Sequence, residues 1–423
     1  MKFKLLSAII LTALSATAFS ATEQTFSDGL KIKLNEKSTG SDLRIYKDKP
    51  VLAIANPDKN KISHNYFDEF NVGKEGLYIG NTKKANTIIT EVVSNSPSLL
   101  KGNINVLINP ANVVIANPNG ITCDGCSVSN VKNLNLITAA VAVTTDKNQI
   151  NTVNSKDKKL KITNSHIETP GKLSLISNKI SIINSTIGSS EINIDMLTSA
   201  DKILLKTGEY DKMYYPSEKL KVVRSPAKLY IDNKSTLVGN DINLNLPETE
   251  FTNDGHIAVD NVRINSNLSP YHSKADNGKI IHMSNNGKIS SDTFNLYSEE
   301  STLENHGNIT ARKNMKLELT GSTFTNNGKI DSMEHYRHES SLDLINSQII
   351  NNGEMKVRNL LVNHTAKSAF TNAGDLYFSS YYAKDIGSYH PDDLNEEFYT
   401  MKNTGNLYYY AGSGKKFRKT DSL

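Results

Sequence analysis

The chain offers few groups that could do chemistry, and their spacing narrows the options. Cys123 and Cys126 are its two cysteines. Three apart, they read as a local disulfide staple in an oxidising compartment, with a redox pair or half of a zinc site as rivals. A redox pair wants a helix N-terminus in a βαβ setting, and a structural zinc wants four ligands. The flanks here read as strand and turn, with no second cysteine pair and no histidine pair close by. His64, between Ser63 and Asn65, has no nucleophile on a recognisable elbow nearby, so it reads as a structural side chain rather than a base. His335 and His338, three apart on a strand, would face opposite sides and could not share an ion. A strand-built carbohydrate-active enzyme would need carboxylates converging from adjacent coils. The residues that precede the repeated glycines of the second half are Asp254, Asn286, His306, Asn327, Asn352, Ala373 and Thr404, a single carboxylate in the series. The expectation is a protein that is not an enzyme, with no cofactor, no catalytic set and no metal set.

The elements that must hold these residues are short strands. The 423 residues lack Trp and are rich in Asn, Ser, Thr, Ile and Val, a balance that favours strands and turns. A net charge of +4, without a dense basic patch before the last ten residues, argues against nucleic acid as a partner. Lys2 and Lys4, the apolar run Leu5 to Leu14 and the small residues Ala16-Thr17-Ala18 read as a signal peptide over residues 1–21. The run is too short to stay in a bilayer, and no later segment reaches spanning length, so no integral membrane segment is expected after cleavage.

The stretch that organises the first half is Val113 to Cys126. A β-branched run enters a turn at Asn117-Pro118-Asn119-Gly120, and a short strand at Ile121–Thr122 leaves it. Upstream stand Ile62-Ser63-His64-Asn65, then Phe67 and Phe70-Asn71-Val72, and later Pro97-Ser98-Leu99-Leu100-Lys101-Gly102. In this order the three elements resemble the signature of the two-partner secretion domain of filamentous-haemagglutinin and haemolysin exoproteins. The resemblance covers about residues 25–145. It weakens at Val128-Ser129-Asn130-Val131 and Leu136-Ile137-Thr138-Ala139, where the family's usual words are replaced.

From residue 251 the chain repeats. Phe251-x-Asn253-Asp254-Gly255-x-Ile257 recurs around Gly287, Gly307, Gly328, Gly353, Gly374 and Gly405, several of them 20 or 21 residues apart. Such a period of strands with an Asn-Gly turn is the mark of a solenoid. The expected fold is therefore all-β, a parallel β-helix with an N-terminal cap and extra-helical hairpins, one of them read into residues 205–235. Its right-handedness is implied by the resemblance. At ~20–25 residues per coil the chain would wind about sixteen to eighteen coils. The expected divisions are a signal peptide (1–21), a secretion domain (22–250), β-helix repeats (251–410) and a flexible basic tail (411–423). The aromatic group Tyr377, Phe378, Tyr381, Tyr382, Tyr389, Phe398, Tyr399 and Tyr408 to Tyr410 reads as a stack and end cap, with a sugar-binding surface as the rival.

The resemblance implies a secreted or bacterial cell-surface exoprotein that leaves by way of the periplasm. Its partner would be an outer-membrane β-barrel transporter whose periplasmic domains recognise the N-terminal domain while it is extended. Ser63, His64, Asn65, Asn117, Pro118, Asn119 and Gly120 are the residues onto which that recognition maps. Adhesion to a host cell surface or glycans would be the product's activity, with a haemolysin-type cytolysin as the first alternative and a β-helix carbohydrate-active enzyme as the second.

Overall fold

A computed structural model describes residues 21–144, 149–153, 158–197, 202–206, 209–214, 227–266, 281–332, 339–365, 367–385, 400–410 and 417–420. Every regular element among them is a strand. The chain forms two compact units, Met1–Ser225 and Pro226–Leu423. The signal peptide of the sequence reading, His335, His338, Tyr389, Phe398 and Tyr399 all lie outside the described residues.

In the first unit the coil has three faces. One is a ladder of parallel strands, Ile62–Phe70, Thr87–Val92, Ala111–Ala116, Val131–Ile137, His166–Ser177 and Thr186–Met196. A second stacks Ser98–Leu100, Ile121–Asp124, Lys159–Thr163 and Lys179–Ile183. The third stacks Lys49–Ala53, Leu77–Gly80, Asn103–Leu107 and Ser127–Ser129. Glu23–Thr25 and Lys31–Leu34 pair antiparallel and close the first ladder against Ile62–Phe70. They are the expected N-terminal cap, which covers a strand edge that would otherwise recruit other chains. Inside the coils, Ile62, Ile89, Val114, Ile137 and Ile176 form part of one apolar cluster, all nearly fully buried. Outside them, Ala140–Thr144, Gln149–Val153, Lys202–Lys206 and Glu209–Tyr214 build a separate antiparallel sheet. The excursion expected over 205–235 is met here at residues 205–206 and 209–214, together with the earlier hairpin, whereas Ala227–Ile231, inside the expected range, is a parallel coil strand of the second unit.

In the second unit eight strands stack in parallel from Ala227–Ile231 to Thr400–Asn403. A second face runs from Thr236–Asn245 through His256–Ser266, Lys288–Glu299 and Asn308–Thr320, and then splits into two shorter rows. The repeat dictates this directly. The apolar residue two before the Asn (Phe251, Leu303, Phe324, Ile349, Phe370) and the one two after the Gly (Ile257, Ile309, Ile330, Met355, Leu376) are all buried. One coil cannot cover these side chains; the next coil does.

Among the described residues the strands wind about 12 turns, fewer than the sixteen to eighteen expected. The expected count divides the whole chain by one period, whereas the cap and the extra-helical sheet take part of it. Some coils are also long: Asn253 pairs in register with Asn285, so 32 residues make one turn there. The basic tail needs a second correction, because Phe417–Thr420 is a strand that pairs antiparallel with Asn406–Tyr410. Its alternation with the tyrosine strand covers that sheet edge, which a solvated tail would leave open.

Candidate functional site

The residues singled out in the first half meet at two corners of the first unit. Ser63 and Asn65 are fully buried on Ile62–Phe70. Ser63 Oγ donates to the Ala55 carbonyl (2.8 Å), and Asn65 Oδ1 accepts from Ala55 N–H and Ser41 Oγ, both at 2.8 Å. Asn65 Nδ2 donates to the Ile89 carbonyl on the next rung (3.1 Å). A side chain between them, His64, points the other way, as strand alternation requires. Its Nε2 lies 2.7 Å from Glu91 Oε2, and its ring stacks on Tyr66 at 4.1 Å, with the Tyr66 hydroxyl 3.1 Å from Nδ1. The other Glu91 oxygen accepts from Val141 N–H (2.9 Å), in the first strand of the extra-helical sheet. Burial and the Glu91 charge raise the Tyr66 pKa, so its hydroxyl stays a donor at neutral pH.

The second corner is Asn117–Gly120. Gly120 N–H closes the turn on the Asn117 carbonyl (3.1 Å), and Gly120 has φ +110°, a conformation that favours glycine. Asn117, fully buried, donates from Nδ2 to the Ser96 carbonyl and Ser98 Oγ, each 2.9 Å, and accepts Asn119 N–H at 2.8 Å. Asn119 Nδ2 reaches the Ser94 carbonyl (2.7 Å). Pro118 is half-buried at the tip. Cys123 and Cys126 follow on the same face, both buried, with Cα atoms 5.3 Å apart, a separation that suits a disulfide.

The geometry accounts for these residues as fasteners. Each buried amide bonds through both its donor and its acceptor, to backbone groups and to serine hydroxyls beside it, which is what a buried corner demands. Nothing here resembles a nucleophile activated by a base: His64 is occupied on both ring nitrogens. The sequence reading saw His64 as structural but not its partner, since Glu91 stands on a different strand and carries no local signal.

The second unit contributes a device that sequence reasoning half saw. The Asn of each repeat hydrogen-bonds to the Asn of the next: Asn253 to Asn285 (2.7 Å), Asn285 to Asn305 (2.8 Å), Asn305 to Asn326 (2.7 Å), Asn326 to Asn351 (2.8 Å), Asn351 to Asn372 (2.7 Å) and Asn372 to Asn403 (2.8 Å). Asn253 Oδ1 also accepts from the Gly255 N–H of its own corner (3.2 Å). The glycines serve close approach rather than an unusual backbone angle. A Cβ on Gly328 would sit 2.1 Å from the Gly307 carbonyl oxygen.

Comparison with known proteins agrees with the motifs. The family model described as TPS secretion domain matches residues 33–331, past residue 250 and through the first four Asn-Gly repeats. A tRNA nuclease CdiA of Yersinia mollaretii is 32% identical over 191 residues, 40% of this chain and 6% of that protein. The filamentous hemagglutinin of Bordetella pertussis is 36% identical over 113 residues, 22% of this chain and 3% of that protein. A Proteus mirabilis hemolysin is 36% identical over 107 residues, 21% of this chain and 7% of its own length. The matches thus span only a small fraction of these relatives. Among solved structures, the filamentous hemagglutinin secretion domain aligns over 71% of this chain and 95% of its own, with 19% identity and a TM-score of 0.46. With well over half of its length matched by the family model, the chain belongs to the TPS secretion domain family.

Proposed function

We propose that this chain is the exoprotein of a two-partner secretion system, recognised through its N-terminal unit by the periplasmic domains of an outer-membrane β-barrel transporter, and that it acts outside the cell as a surface adhesin. The observation that carries the reading is the burial of the motif. Ser63, Asn65 and Asn117 are fully enclosed once the coils form. Recognition through these side chains therefore belongs to the extended chain, before folding, when a strand of it can add to the edge of a receptor sheet. Folding outside then hides the address. The route passes through an oxidising compartment, where Cys123 and Cys126 close their staple. The family's secreted hemagglutinin and hemolysin support a surface or extracellular destination.

The test is co-expression with a two-partner transporter barrel in a host that lacks one. Export of full-length protein that requires the barrel, and that fails when residues 62–72 are scrambled, is the expected result. Equal release without the barrel contradicts the reading. Binding of the released protein to host cells without lysis supports adhesion; lysis of red cells moves the assignment to the cytolysin.

A further inference from the structure

The last coils of the second unit carry an aromatic pair that no part of the secretion reading uses. Asp375–Phe378 and Asn406–Tyr410 pair in parallel, and their register sets Tyr377 directly beside Tyr408. Leu376 and Leu407, one place earlier on each strand, are buried, so strand alternation turns both tyrosines outward. The two rings stack, with planes 10° apart and centroids 4.4 Å from each other. Lys356, in register with Tyr377 on the preceding strand Glu354–Val357, places its Nζ 5.1 Å from the Tyr377 centroid. Among the described residues this is the one place where tyrosine meets tyrosine in register across a ladder. Both side chains are half-buried, open to a small oxidant but shielded from the ring of a second molecule.

We propose that Tyr377 and Tyr408 are a site of oxidative modification, coupled by hydrogen peroxide and a haem peroxidase into a dityrosine that ties the last coil to the one before it. Each phenol gives up one electron and its hydroxyl proton, and the peroxide takes both pairs and is reduced to two molecules of water. The two phenoxyl radicals then form a carbon–carbon bond between ring positions ortho to their oxygens. Each ortho hydrogen passes as a proton to the oxygen of its own ring, which restores two phenols, so the net change is the loss of two hydrogens. The stack supplies what such a coupling needs, two rings already held against each other, so that the radicals meet without a search. Tyr382 lacks that partner: it is 62% exposed, and the residue in register with it is Leu361. The tie falls where the solenoid is held least. Thr400–Asn403 has one strand neighbour among the described residues, and Asn403 is exposed. Such an end opens first, and a covalent link across it restricts the opened chain.

The test treats dilute, full-length protein with hydrogen peroxide and a soluble haem peroxidase, with circular dichroism of each variant to confirm folding. The monomer is then isolated by size exclusion and read for dityrosine fluorescence, for the mass lost with two hydrogens, and for a cross-linked peptide pair that carries Tyr377 and Tyr408. The expected result is that peptide pair in the wild-type monomer, at a yield that drops about tenfold or more in Tyr377→Phe and in Tyr408→Phe and is unchanged in Tyr382→Phe. Phenylalanine keeps the ring and removes only the hydroxyl, so the loss reports the chemistry and not the packing. Oxidation should also raise the melting temperature of the wild type but not of Tyr408→Phe. Dityrosine that is absent from the monomer, that forms only between molecules, or that forms equally in a folded Tyr377→Phe variant overturns the proposal.

Discussion

At the scale of single residues, Ser63, Asn65 and Asn117 are buried polar groups whose hydrogen bonds are met inside the fold. Asn117, itself fully buried, makes two side-chain donations and accepts two bonds at this corner. Replacing it with Ala strands the Asn119 amide and a Ser96 carbonyl. Asn117→Ala should cost about 2–3 kcal/mol, read by denaturant unfolding, whereas the half-buried Pro118→Ala should cost under about 1 kcal/mol. A second residue-scale prediction concerns acid. Burial, helped by the Lys288 charge, lowers the pKa of His256, and its Nε2 is buried without a hydrogen-bond partner. The unfolded chain then takes up the proton first, near pH 6.5, so the stabilisation is complete above that pH and is lost as pH falls toward the folded-state value. His256→Gln should remove that part of the acid sensitivity, by at most about 1.4 kcal/mol per pH unit, as seen in unfolding midpoints between pH 7 and pH 5. Equal slopes in the two proteins would refute it.

At the scale of the element, the coil is specified by stacked side chains more than by strand propensity. The ladder of asparagines has a direction, each Nδ2 donating to the following Oδ1, so an interior rung serves two neighbours. Asn326→Ala leaves the Asn305 donor and the Asn351 acceptor unmatched, and the expected loss is about 2–4 kcal/mol. Asn403, at the exposed end, has one rung neighbour, and its Ala variant should lose under about 1.5 kcal/mol. Gly328→Ala should do more harm than either, because its Cβ meets a backbone carbonyl that no rotamer can move. Comparing the three unfolding curves ranks them; Gly328→Ala as stable as wild type would refute the close-stacking explanation. Much of this was legible beforehand. The Asn-x-Gly spacing located the coils and their inward residues from Phe251 to Leu407. The ladder was not legible, because one repeat read alone shows Asn beside a turn and gives no reason for its amide to look along the stack. Glu91 escaped for the same cause: its partner His64 and its acceptor bond from Val141 are set by rung register, which local pattern does not encode. The strand Phe417–Thr420 was hidden by its basic composition, which resembles a solvated tail until the tyrosine edge beside it is seen.

At the scale of the molecule, the proposed function makes one demand of the fold: an address that the chain can offer while it is extended must be one that the folded coils hide. Ser63, Asn65 and Asn117 stand on corners of the first unit, where the finished coils enclose them, while His64, Pro118 and Asn119 stay half-buried. A solenoid suits this scheme because each coil buries apolar surface on the one before, so folding can proceed stepwise as the chain emerges. The most direct measurement is binding of the full-length chain to purified periplasmic domains of a two-partner transporter barrel, by surface plasmon resonance. The chain is presented either folded or freshly diluted from urea, with Asn65→Ala and Asn117→Ala variants alongside. The expected result is binding by the unfolded wild type alone, weakened in both variants and fading as the chain refolds. Equal binding by the folded protein would contradict it, since the folded coils leave these side chains nothing to offer.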